Sequence, residues 1–316
     1  MNPEIITSAQ NPKLKRLLAL QEKSRLRRSE GVFVVEGRRE LEHCVAAGFA
    51  LEAVFVCPEI LEGQALPPEG VRPSGSPHHP FGTVPPLSNV GPPENESFLG
   101  YKRGCYVPQG VVPALSNARQ LFHLSKELYS KVAYRGSTEG IIAEVKAKYL
   151  TLDDLALKEH PLVMVLEGVE KPGNLGAVLR SADAAGADAV IICDPLTDLY
   201  NPNLIRASIG AVFTVPVVCC SSEEAIAFLK ARGIRILTAQ LQDSSPYYNV
   251  DMTCGTALVM GTEATGLTPV WRAAADAHIL IPMLGRLDSL NVSVSAAILL
   301  YEAVRQRQVV VKKGLF

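Results

Sequence analysis

An α/β protein with two unequal domains is predicted by three features of the sequence. In the C-terminal half, short apolar runs alternate with amphipathic stretches. A shorter series of the same kind occupies the N-terminal part, and a proline-dense segment interrupts it. Apolar strands separated by helices imply a mostly parallel sheet covered on both faces. A chain of 316 residues is long enough to bury a core in each domain.

In the N-terminal part, "NPKLKRLLALQEK" sets Leu14, Leu17 and Leu18 at helical spacing. "VFVVE" at 32–36 reads as a strand, and "RRELEHCVAAG" as a helix ending on Gly48, a favourable C-cap. "LEAVFVC" at 51–57 is the next strand. Residues 64–113 then hold eleven of the twenty-two prolines, a density that suits neither helix interiors nor central strands. An irregular insertion is expected there. Its His78–His79 pair reads as solvent-facing. "LSKELYSKV" follows as a helix and "GIIAEVKA" at 140–147 as a strand, with "TLDDLALKEH" as a linker or first helix. The expected domains are 1–150 and 155–316.

In the second domain, strands are expected at 162–168, 188–193, 210–218, 234–240, 256–261 and 277–282. Ligands of such sheets gather at the loops beyond the strand C-termini.

Composition narrows the function classes. With 47% hydrophobic and 20% charged residues, the chain is globular rather than disordered. The net charge of −1 gives no global pull toward nucleic acid. Locally, residues 12–39 carry nine basic side chains against three acids, which fits either a phosphate-facing patch or a solvated helix face. Seven cysteines without a C-x-x-C, and six histidines without ligand spacing, argue against a disulfide framework or a zinc site. The N-terminus lacks the apolar core of a signal peptide, and no apolar run approaches the ~18 residues of a membrane span. A soluble, cytoplasmic protein with no membrane partner is expected.

Three loops carry more than structure. After the strand ending at Glu167–Gly168, Asn174 stands where an N-cap belongs. Leu175, Val178, Leu179 and Ala182 form the core face of the helix that follows. Gly176 and Arg180 share another face, one turn apart, so Gly176 would clear space beside the arginine. The second loop bears Gly261, Glu263 and Gly266 straight after a strand, with a helix starting at Thr268–Pro269. Glycines there let a ligand approach the backbone. The third is "RLDSLNVSVSAAILL", in which Asp288, Ser289 and Asn291 precede a long apolar run. Those residue types suit helix capping, a site, or both. No Walker loop, G-x-G-x-x-G or G-x-S-x-G elbow is present, so phosphate-cradling, dinucleotide and serine-hydrolase readings lack support.

The motifs N-x-G-x-x-x-R at 174–180, G-x-E-x-x-G-L at 261–267 and I-P-M…S-L-N-V-S at 281–293 resemble those of the SpoU/TrmH family. These are RNA ribose 2′-O-methyltransferases of the SPOUT class. "YNPNLIRASIGAVFTVPV" is similar to the family's stretch between its first two motifs, and the N-terminal part to the small α/β substrate-binding domain often fused ahead of it. The proline-rich insertion departs from that pattern.

The resemblance implies a parallel α/β domain with a deep trefoil knot, a homodimer, and S-adenosylmethionine bound by the knot loops. It implies backbone at Gly261, Ile281 and Leu290, with Ala239 and Asn291, as the cofactor cradle. It makes Asn174, Arg180, Glu263, Ser289 and Asn291 the catalytic positions. No metal is implied, since the cofactor carries its own leaving group. The RNA partner, ribosomal by analogy with the fused domain or else tRNA, would be met by Arg27, Arg28, Arg38 and Arg39. A guanidinium is an awkward base, so Arg180 reads as an electrostatic stabiliser or a strongly perturbed base. Glu263 reads as a loop anchor or a catalytic group. A catalytically silent RNA-binding or ribosome-assembly factor on the same fold is the rival reading.

Overall fold

The computed structural model describes residues 3–63, 118–134, 139–262, 265–286 and 289–313. The proline-rich insertion and the His78–His79 pair lie outside the described residues. Among these residues no helix is long and apolar enough to cross a membrane.

The N-terminal region runs β1 (Glu4–Ile6), α1 (Pro12–Glu22), α2 (Ser24–Glu30), β2 (Val32–Glu36), α3 (Arg38–Ala46), β3 (Leu51–Val56) and α4 (Pro58–Gly63), then β4 (Gln120–Leu124), α5 (Lys126–Val132) and β5 (Ile141–Lys146). Helix α1 starts where Asn11 accepts from the Lys13 amide (2.9 Å) ahead of Pro12, which suits a first helical position. The strands form a five-stranded mixed sheet in the order β1-β4-β3-β5-β2.

The C-terminal region runs β6 (Leu162–Glu167), α6 (Pro172–Ala184), β7 (Ala189–Cys193), α7 (Pro202–Ser208), α8 (Ala211–Thr214), β8 (Val217–Cys220), α9 (Ser222–Ala231) and β9 (Arg235–Ala239), then β10 (Ser245–Pro246), β11 (Thr256–Met260), α10 (Pro269–Ala274), β12 (Ala277–Leu280) and α11 (Val292–Lys313). Its sheet has the order β10-β12-β9-β11-β6-β7-β8, and every pairing is parallel. From β6 the chain moves outward through β7 and β8. It then returns to the far side of β6, so β6 and β11 flank the point where the winding reverses. In open α/β sheets the ligand crevice lies at that point, beyond the strand C-termini.

The expected strand over 210–218 is corrected. Gly210 adopts φ 84 and residues Ala211–Thr214 turn into helix, leaving β8 to begin at Val217. The β-branched run favours a strand locally, but Ala211, Val212 and Phe213 are buried between the two sheets, and packing overrides propensity. "TLDDLALKEH" is a linker between β5 and β6 rather than a first α-helix. Thr151 and Asp154 form a capping box on a single 3₁₀ turn, and Leu155 is buried in the core.

One apolar cluster runs through both sheets, joining Phe33, Val54 and Val145 to Leu175, Leu204 and Phe213. Phe33 stacks on Tyr200 (centroids 4.0 Å apart, 9° between planes), and Phe49 packs edge-on against Phe213 (5.3 Å, 71°). The Tyr200 hydroxyl donates to the Lys148 carbonyl. Arg27 crosses the same junction to Asp198 (2.6 Å), with both side chains buried. The two regions are packed into one body.

Candidate functional site

Two loops leave the reversal point side by side. From β6 the chain turns at Gly168 (φ 61), where a Cβ would lie 3.2 Å from Thr262 Cγ2 of the loop after β11. That second loop is pinched shut by paired Thr262–Gly266 backbone bonds of 3.2 and 3.1 Å. Gly261 faces Gly266 so closely that a Cβ on it would sit 2.3 Å from the Gly266 carbonyl. No side chain fits there, so the glycines leave bare backbone as the wall.

That wall bounds a cavity of about 460 Å³, with Ala239, Gly261, Ile281, Ser289 and Leu290 among its lining residues. The volume lies within the ~300–1,000 Å³ range of small-molecule sites. Four of the five expected cradle residues (Ala239, Gly261, Ile281 and Leu290) therefore meet at one cavity. The fifth, Asn291, does not line it. Leu267 and Ile279 add apolar surface, and Arg272 brings a cation that the sequence did not single out.

The third loop joins the first through side chains: Asn291 Nδ2 donates to Asn174 Oδ1 (3.1 Å). Asn291 also caps the last helix, its Oδ1 accepting from the Ser293 amide (3.0 Å) and hydroxyl (2.6 Å). The capping reading of that polar cluster therefore holds at Asn291. Asn174 is not a cap. Helix α6 begins at Pro172 with Lys171 as its flanking residue, which places Asn174 in the first turn, facing Asn291. Leu175, Val178, Leu179 and Ala182 form its buried face.

Gly176 is also corrected. A Cβ there would meet Ala207 Cβ at 2.6 Å and the Leu204 carbonyl at 2.7 Å, so its absence lets α7 pack against α6 rather than opening space for a ligand. Arg180 is exposed on α6. Glu263 and Asp288 lie outside the described residues.

The four candidate RNA-binding arginines separate. Arg27 is 3% exposed. It binds Asp198 and donates to the Leu20 and Gln21 carbonyls (2.6 and 3.0 Å). A charge so enclosed is not open to phosphate, so Arg27 leaves the RNA-facing set. Arg38 is half-buried, its guanidinium donating to the Glu139 and Leu61 carbonyls (both 3.3 Å). Arg28 and Arg39 are exposed.

Residues 161–301 match the model of the SpoU rRNA Methylase family, and residues 11–73 that of the MRM3-like substrate binding domain. Over 187 residues the chain is 33% identical to 23S rRNA (guanosine(2553)-2′-O)-methyltransferase RlmP of Bacillus subtilis (strain 168), covering 59% of this chain and 73% of that protein. The chain belongs to the SpoU rRNA methylase family.

A second SpoU relative, 23S rRNA (guanosine-2′-O-)-methyltransferase RlmB of Vibrio vulnificus (strain CMCP6), is 38% identical over 193 residues, covering 59% of this chain and 78% of its own length. The crystal structure of an RNA 2′-O ribose methyltransferase superposes with a TM-score of 0.71 at 33% identity, covering 96% of this chain and 99% of that one. An AdoMet-bound rRNA methyltransferase from Sinorhizobium meliloti shares the fold, with a TM-score of 0.75 at 24% identity over 96% and 97% of the two chains. The likeness in structure therefore extends across both sheets of the SpoU chain.

Proposed function

We propose that this SpoU-family chain transfers a methyl group from S-adenosylmethionine to a ribose 2′-hydroxyl of ribosomal RNA. The observation that carries the reading is a cavity at the winding reversal, walled by Gly261 and Gly266 backbone and lined by the second and third motif loops, with the first motif loop tied to the third through Asn174–Asn291. Such a wall suits an adenosine, whose ring edge reads main-chain amides and carbonyls while Leu267 and Ile279 supply apolar contact. When bound, the cofactor supplies a methyl activated by its sulfonium.

The chain's own residues would align the acceptor and stabilise charge. Alignment alone is worth several kcal/mol. The Asn174–Asn291 bond fixes α6 against the cofactor loop and so sets where Arg180 stands. From that exposed position the guanidinium binds the phosphate beside the target ribose and stabilises the alkoxide that develops as the hydroxyl loses its proton. Ser289, at the cavity edge, hydrogen-bonds the substrate. Arg28 and Arg39 meet RNA phosphates on the N-terminal region, which serves as the substrate-binding domain over 1–150, ahead of a catalytic domain over 155–316.

The segment from Gly261 to α11 is taken to thread as a trefoil knot, supported by Gly261, Gly266, Ile281 and Leu290 lining one cavity. A homodimer is supported by exposed Leu284, Val294 and Tyr301, which leave apolar surface beside that segment. Incubation with methyl-labelled S-adenosylmethionine and either rRNA or tRNA tests the reading. Nuclease digestion should yield a 2′-O-methylnucleoside from rRNA. Label confined to bases would contradict ribose as the acceptor, and no transfer while the protein binds RNA would favour the silent-factor alternative.

A further inference from the structure

The buried carboxylate at the end of β6 has no part in the motif reading. Glu167 is 5% exposed, and both its oxygens are turned to the far end of the second motif loop. Oε2 accepts from the Thr268 amide (2.8 Å) and Oε1 from the Thr268 hydroxyl (2.6 Å). Oε1 also lies 3.3 Å from Ser222 Oγ. That hydroxyl donates to Asp194 (2.6 Å) and accepts from the Trp271 indole N–H (2.9 Å). Thr268 is the N-cap of α10, and Trp271 is fully buried within it.

The consequence follows from chain connectivity. Gly266 and Leu267, which line the cavity, immediately precede Thr268. At its near end the loop is closed by the Thr262–Gly266 bridge; at its far end the described polar anchor is Glu167. Hydrogen bonds to a carboxylate are stronger than those between neutral groups. Two on one residue hold its backbone and side chain together. A loop pinned at both ends binds its ligand without first being ordered, which lowers the cost of binding.

We infer that Glu167 is the positioning residue of the cofactor loop: through Thr268 it holds the Gly266–Leu267 backbone in its binding geometry without touching the ligand. The inference rests on the cavity being the S-adenosylmethionine site.

Calorimetric titration with S-adenosylmethionine, paired with steady-state kinetics, tests it on the full chain. Glu167→Ala should raise the dissociation constant and KM for the cofactor tenfold or more, while kcat at saturating cofactor stays within about threefold. Glu167→Gln keeps one acceptor oxygen and should fall between Ala and the unchanged chain. Thr268→Val removes the hydroxyl donor and should weaken binding severalfold, adding little once Glu167 is gone. Arg307→Ala serves as the control for stability alone. Arg307 donates to the Met252, His160, Pro161 and Cys254 carbonyls, far from the loop, and its loss should lower the melting temperature while leaving cofactor affinity within about twofold. Should Glu167→Ala not fold, Glu167→Gln and Thr268→Val still decide the matter. Unchanged affinity in these variants, while the unmodified chain binds, would overturn the inference. Failure of the unmodified chain to bind would overturn the cofactor reading beneath it.

Discussion

At the junction between the two sheets the contacts are aromatic and buried, while at the rim of the cavity the side chains are polar and open to solvent. Phe33, Tyr200, Phe49 and Phe213 interlock at the first, and the Arg27–Asp198 pair is buried as well. At the second, Ser289 stands exposed at the edge of a backbone-walled pocket, and Arg180 on α6 and Asn291 at the start of α11 are exposed as well. The difference separates two tasks. The junction has few polar groups left to offer a substrate and fixes the substrate-binding region relative to the site. The rim has little packing of its own and leaves its donors open to solvent. A basic residue belongs to one task or the other according to its burial rather than its charge, as Arg27 and Arg28 show side by side.

Breaking the junction should have the largest effect. Arg27→Ala strands Asp198 in a buried setting and should cost about 3–5 kcal/mol of unfolding free energy in urea titration. Asp198→Ala should cost a similar amount, and the double variant less than the sum. Equal loss from a surface control such as Arg25→Ala would contradict the contrast. At the rim, Arg180→Ala should lower turnover about 10²–10³-fold, equivalent to ~2.7–4 kcal/mol, with little change in melting temperature. If turnover stayed near that of the unmodified chain with cofactor and RNA both bound, the electrostatic role would be wrong.

Smaller effects sharpen the same contrast. The pair Arg28→Ala and Arg39→Ala should weaken RNA binding and flatten its salt dependence by about one to two in log–log slope. Arg27→Lys should leave that slope unchanged.

The smallest effect is a pH dependence at the end of β2. Burial pushes the Glu36 carboxyl above its usual range. One oxygen accepts from the Tyr134 amide (2.7 Å), while the other is buried with no hydrogen-bond partner among the described residues. Because the folded-state value is raised, the contribution of Glu36 is most favourable below the ordinary carboxylate pKa. It is lost as pH rises through the raised value. Glu36→Gln should therefore raise the melting temperature at pH 8 and do little at pH 4; a uniform shift would refute that origin.

Much of this was legible from sequence because its signals are local. The β6, β9 and β11 runs read as strands, and the glycines of the loop after β11 announced a close backbone approach. The remainder depended on distant partners. Arg27 sits in a basic run that reads as a solvated face until Asp198, 171 residues on, is brought against it. Glu167 looks like a strand end because Thr268 lies 101 residues away. In "GAVFTVPVV" the β-branched pattern favoured a strand, yet His43 of α3 sits 2.8 Å from where a Gly210 Cβ would be. That contact between regions leaves room only for the glycine turn that opens α8. Gly176 was misassigned for the same reason, its neighbour being a helix whose approach no local pattern encodes.

The most direct test of the account is a map of 2′-O-methyl groups across the ribosomal RNA of cells lacking the gene, complemented with either the unmodified chain or Arg180→Ala. One rRNA ribose position should lose its methyl without the gene, regain it with the unmodified chain, and stay bare with Arg180→Ala. Identical rRNA maps in all strains would contradict it.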